Sequence, residues 1–442
     1  MPRPHSFSLN RTPFRYWSAF LTIWVLSLAG HSAEKPADAK ANAASVDAPF
    51  RPEAGKFPPR EKALAYRGEL VFVDHVNRRG SLRIQGEGTY FRNTPHPFAL
   101  LPYGVVRHHG APADLRDVPL ETVMHAMAYL PLDPATSSVP VLPIDNRNKT
   151  AGYSGKGIAP AENHLALLED EPSYCLSNGL IWKLHEVDVK NREGFLVATR
   201  EPRNGSDASA PREKMTFDAV TRIWRGRERI SIDELLAEGA WPREGKKSLE
   251  AQAVWLGISW NPTPDGIFTR FHVSDIWLDE AALEHAAKHQ SERHKAFIRS
   301  RWMAAWVDAV EYGKFGRATI TATLFGGMDA ALYADFEKGV QATMNGVENT
   351  LKHAGGAYGP AHMSSRGTIL EVINTKGEVP FCSSGIQIRF ETDLIIEGIR
   401  PSRVVRVRPA SWPLVNVPRE EYIGDSNTPE DRFPTPAIFP KY

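Results

Sequence analysis

A hairpin-like phrase recurs along this chain. Gly68-Glu-Leu-Val-Phe-Val-Asp74 alternates apolar and polar positions up to a Val-Asp pair, crosses a polar turn ending at Gly80, and resumes as Ser-Leu-Arg-Ile84. Trp182-Lys-Leu-His-Glu-Val-Asp188 does the same, passes Gly194 and resumes as Phe-Leu-Val197. A third version runs from Ala305-Trp-Val-Asp308 across Gly316 to Leu324. Period-two alternation broken by a glycine-bearing polar turn predicts a β-hairpin each time. A partial fourth echo links 367–377 to 385–390. A closing phrase ends the first two units, at 163–170 and 271–280, with Leu168 and Leu278 standing 110 residues apart. Further strand-like runs fall at 118–130, 251–260 and 395–408.

The long helical pattern lies from Glu280 to Arg301, where Ala282, Leu283, Ala286, Phe297 and Ile298 suit one apolar face. A shorter mixed pattern covers 331–352. These elements predict a mainly β protein with minor α content: tandem small OB-like β-barrel units with one long connecting helix. β-sandwich units are the alternative. The predicted boundaries are a signal peptide over 1–33, a flexible linker over 34–57, and β unit 1 over 58–172. β unit 2, with its C-terminal helix, covers 173–302, β unit 3 covers 303–424, and a Pro-rich tail covers 425–442.

The first two of these segments come from composition. Arg3, Arg11 and Arg15 precede the uncharged run Tyr16 to Ala29, which is short for a bilayer span and of the right length for a signal-peptide core. The reading is export to the periplasm or the extracellular space, with no membrane span in the mature chain; an uncleaved N-terminal anchor is the alternative. Residues 34–57 are rich in Ala, Pro, Lys and Asp and poor in large apolar side chains, which predicts a linker. Over 442 residues, 53 Lys and Arg balance 52 Asp and Glu, a formal net charge of +1 that argues against a dedicated nucleic-acid binder. Cys175 and Cys382 are the two cysteines, so a zinc ribbon or redox dithiol is excluded. Unpaired thiols are favoured over a disulfide.

Each candidate for chemistry has a structural rival. His285 and His289, at i,i+4 on the predicted helix with Glu292 a turn further, share a face on which a metal could be clipped. Ala286 stands where a metalloprotease needs Glu, and the strip through Arg293 and His294 reads as a solvated charged face. Asp74, Asp188 and Asp308 read as turn caps rather than acids, since no second carboxylate accompanies any of them. His75, His185, His164 and His272 lie near repeated elements but are not equivalent between units. Gly152 to Gly157 fails the P-loop spacing, and no Gly-x-Ser-x-Gly elbow occurs. Phe381-Cys-Ser-Ser-Gly385 reads as a turn.

Two groups of residues could form a ligand surface. Arg406 and Arg408 alternate with Val405 and Val407, as on a basic strand face that could meet an anionic polymer or on any half-exposed strand. Trp224, Trp255 and Trp260 in unit 2 could stack on sugars or fill a core. The functional expectation is an exported, non-enzymatic binding or structural module of the cell envelope, without cofactor. Its partner is unknown, an envelope protein or polysaccharide rather than nucleic acid. The rivals are an envelope hydrolase acting on glycans and a metal-binding protein.

Overall fold

In a computed structural model, residues 50 to 415 are described, apart from 76, 85–94, 133–161, 206–209, 263–268, 347–363 and 397. The predicted signal segment, most of the predicted linker, the 152–157 loop and the proline-rich tail lie outside the described residues. Among those described, no helix is long and apolar enough to cross a membrane.

The first hairpin phrase becomes β1 (Leu64–Asp74) and β2 (Arg79–Ile84), followed by β3 (His96–His108), β4 (Ala111–Ala113), β5 (Val123–Tyr129) and β6 (His164–Asp170). β1 pairs antiparallel with β2 and β5, and β2 with β3. β6 then bridges β5 and β3, running parallel to the latter. The ring β1-β2-β3-β6-β5 is therefore closed, around Leu70, Leu82, Phe98, Met124 and Leu168.

A helix, α1 (Glu171–Ser177), leads into the second sheet. This comprises β7 (Leu180–Lys190), β8 (Glu193–Pro202), β9 (Arg212–Phe217), β10 (Arg222–Arg225), β11 (Glu228–Ile230), a short α2 (Ile232–Ala237), β12 (Gly245–Pro262) and β13 (Thr269–Trp277). Its connectivity repeats that of the first: β7 pairs with β8 and β12, β8 with β9, and β12 with β13. The parallel contact of β13 with β9 is a single pair, His272 with Thr216, so this ring barely meets itself. Two OB-like units in tandem match the sequence expectation. The hairpin glycines have a steric role in both. A Cβ on Gly194 would lie 1.8 Å from the Asp188 carbonyl oxygen, and one on Gly80 2.5 Å from that of Phe72.

The third unit departs from the repeat. After α3 (Glu280–Arg301) come β14 (Met303–Tyr312), β15 (Ala318–Phe325), a short α4 (Ala330–Ala334), β16 (Gln341–Asn345), β17 (Ser364–Asn374), β18 (Ser383–Thr392) and β19 (Val404–Pro409). They close as β14-β15-β18-β17-β16-β19, with every neighbour antiparallel. The three units share the opening hairpin, with a bulge in its first strand each time, but not the whole barrel. Those bulges sharpen strand coiling, as barrel closure requires.

The helix α3 has the bounds read from the sequence and does more than connect. Asp279 caps it by accepting from the Ala282 N–H. Leu283 enters the core of unit 2, Gln290 and Arg293 reach Asp117 of unit 1 at 3.0 and 2.9 Å, and Arg299 reaches Asp335 of unit 3 at 3.0 Å. His294, placed by the sequence on a solvated face, is 3% exposed because two barrels grip that side. Residues 50–57 also depart from the linker reading. Phe50 packs on Tyr129, and Phe57 on Tyr103 and Phe325, so the aromatic end of that segment joins the seam between barrels one and three.

Candidate functional site

The densest polar chemistry gathers on α1, where the chain passes from barrel one to sheet two. Asp170 is its N-cap, accepting from the Ser173 N–H at 3.0 Å and the Ser173 hydroxyl at 2.5 Å. Its second oxygen accepts the His109 N–H at 2.7 Å and lies 2.8 Å from His108 Nδ1. His108 and His109 stack at 3.7 Å, with His109 in the left-handed region at φ 55° and edge-on to Trp277 at 5.0 Å. Burial would raise the Asp170 carboxyl, but His108 and His109 more than offset it and hold it at about 2. Burial and then His108 push His109 down to about 4, so its ring is neutral at pH 7.

His108, His109 and Asp170 are the one group of three or more among the described residues whose ligand atoms are close enough to share a cation. Two imidazoles and a carboxylate suit zinc or a first-row transition metal. Both carboxylate oxygens already accept from protein groups, however. A metal at Asp170 would have to displace a cap bond or the His109 N–H. The arrangement accounts for itself as a helix cap that pins the β3–β4 turn.

Glu171, the next residue, is 0% exposed. One oxygen lies 2.7 Å from Arg200 Nη2 and accepts the Trp182 indole N–H at 3.1 Å; the other meets His125 Nε2 at 2.8 Å and Arg67 Nη2 at 3.2 Å. Outside the arginines, Glu213 lies 3.2 Å from Arg67 and 3.9 Å from Arg200, so two guanidiniums face two carboxylates. Aromatic faces close the cluster: Phe271 under Arg67, Tyr174 and Trp182 beside Arg200, and Tyr174 flat on His125 at 3.7 Å. Burial would raise the Glu171 carboxyl, yet Arg67 and Arg200, with His125, hold it well below 4.5. A carboxylate held ionised and away from solvent can neither donate a proton nor reach a substrate at neutral pH.

The sequence reading did not single out Asp170, Glu171, Arg67 or Arg200. A signal was present: Asp-Glu-Pro-Ser after a strand is an N-cap followed by proline in the first helical turn. The residues it did single out are dispersed. His285 and His289 are exposed on α3, and neither belongs to the three-ligand group. Trp255 and Trp260 fill the core of unit 2, while Trp224 is half-buried and donates to Asp275 at 3.1 Å. The basic strand face is corrected: Arg406 is buried and gives a bond to the Trp302 carbonyl, and Arg408 is half-buried, bonded to the Trp412 carbonyl at 2.6 Å.

The turn-cap reading holds for Asp74, which accepts from Asn77. Asp188 instead pairs with Phe195 within its strand. Asp308 sits at a bulge, accepting from Thr323 and Gln387. Cys175 and Cys382 are unpaired and buried, and burial pushes the Cys382 thiol up to about 12. No family model matches the chain, and no curated protein or solved structure shows significant similarity to it.

Proposed function

We propose that this chain is a non-enzymatic binding or structural module of the cell envelope, its barrels joined into one body that presents surface rather than an active site. The observation that carries the reading is Glu171. The carboxylate best placed for chemistry spends both oxygens on Arg67, Arg200, His125 and Trp182, which come from strands of two different units. Polar residues that a hydrolase would aim at a substrate serve here to join β1, β5, β7 and β8 through α1. The envelope assignment rests on the basic, then apolar, amino-terminal run.

The reading is tested by incubating the purified chain with cell-wall and other oligosaccharides while following both product release and thermal unfolding. The expected outcome is no cleavage, with an upward shift in unfolding temperature for a bound oligosaccharide. A ligand at 100 times its dissociation constant adds about 2.7 kcal/mol. Turnover by the purified chain would overturn the reading in favour of a hydrolase. With divalent metals added to the same unfolding assay, a metal-specific stabilisation lost in His285→Ala would overturn it in favour of a metal-binding protein.

A further inference from the structure

We propose that a small cavity walled by barrel one, barrel three and α3 binds one small monovalent anion, of chloride size, between Arg78 and Arg406. The cavity holds about 30 Å³, room for one or two water-sized species. Val105, Phe297, Phe325 and Met328 supply apolar wall, and Arg78, Tyr103, Asp114, His294 and Arg406 supply the polar groups.

The charges do not balance. Arg78, half-buried, donates to the Leu101 and Gly104 carbonyls at 3.3 and 2.8 Å, and Arg406 to that of Trp302. The single carboxylate facing both, however, is Asp114, which burial pushes up and which already accepts the Arg116 N–H at 3.2 Å. The neighbouring Asp117 is taken by Arg293 and Gln290. Burial pushes His294 down to about 4, so it contributes no charge at neutral pH. Burial, and after it the nearby Arg78, push Arg406 down to about 9. Carbonyls satisfy N–H groups without neutralising the charge, and a buried charge left unneutralised is costly.

Donors are left over as well. Arg78 Nε and the Tyr103 hydroxyl are buried donors without a hydrogen-bond partner in the protein, and the His294 Nδ1 ring nitrogen beside them is unpartnered too. Tyr103 is 1% exposed and Arg406 5%. A water molecule would satisfy donors but leave the excess positive charge; an anion of the same size satisfies both. The Glu171 cluster, with two guanidiniums and two carboxylates, shows what the same fold does when the charges balance. This site is independent of the functional reading above.

The test compares thermal unfolding of the full chain in potassium chloride, potassium formate and potassium gluconate at equal ionic strength, since gluconate is too large to enter. The expected result is an unfolding temperature at least about 2–4 °C higher in chloride than in gluconate. That difference should vanish in Arg406→Met and shrink in Tyr103→Phe, which keeps the ring and serves if the arginine variant does not fold. A rise in formate but not chloride would support the site and make a carboxylate its occupant. Crystals soaked in bromide should give an anomalous peak between Arg78 and Arg406. Equal unfolding temperatures in all three salts, or a chloride effect unchanged in both variants, would overturn the proposal.

Discussion

Replacing Glu171 with Gln should cost about 3–5 kcal/mol, because removing one partner from a buried ionic cluster strands the others. Arg67 and Arg200 would be left to Glu213 alone, and the His125 and Trp182 N–H groups would face a neutral amide. Urea unfolding at pH 7 measures this directly. A loss below about 1 kcal/mol would mean that the cluster contributes little to joining the two units.

Acid tests the same residues. Despite burial, Asp170 is held at about 2 and Glu171 well below 4.5, so the folded state refuses protons that the unfolded chain accepts. Their stabilisation is whole above about pH 4.5 and is lost as pH falls towards 2. Between pH 7 and 4.5 two effects oppose each other. Burial pushes His109, His164 and His294 down to about 4, so acid favours unfolding below about pH 6.5. Burial pushes Glu69 and Glu169 up to about 7, so over the same range acid favours the folded state. The expected profile is shallow down to about pH 4.5 and steep below it, with the steep part reduced in Glu171→Gln. A steep loss beginning near pH 6.5 would contradict this balance.

The second large effect is expected at the other seam. Trp306 is 3% exposed and lies 6.1 Å from Tyr103 and 5.6 Å from Phe325. Its neighbours Ala305 and Val307 point into barrel three, whereas Trp306 belongs to the cluster shared with barrel one. Trp306→Ala should therefore cost about 3–5 kcal/mol while sparing the interior of the third barrel. Urea unfolding should then show barrel three separating from the rest. A cost under about 1 kcal/mol, with one unchanged transition, would mean that the seam is not tightly packed.

Local patterning carried much of the architecture. The three hairpins, the bounds of α3 and the strand over 251–260 follow from apolar periodicity alone. The third barrel's different strand order did not, because its opening hairpin reads like the other two and the remaining pairings join distant segments. The burial of Arg406 was hidden for a related reason. Alternating Val and Arg implies one covered face, but β19 is flanked by β14 and β16, and its outer face meets the cavity wall of another unit. The Glu171 cluster draws on Arg67, His125, Trp182 and Arg200, whose separations in sequence give no local signal. Phe50 and Phe57 were the two large apolar residues in a segment whose average composition reads as linker.

Ion pairs and aromatic seams join the three units into one body. Differential scanning calorimetry of the full chain at pH 7 tests it most directly. One cooperative transition is expected, with calorimetric and van't Hoff enthalpies in agreement. Two or three independent transitions in the unmodified protein would contradict it.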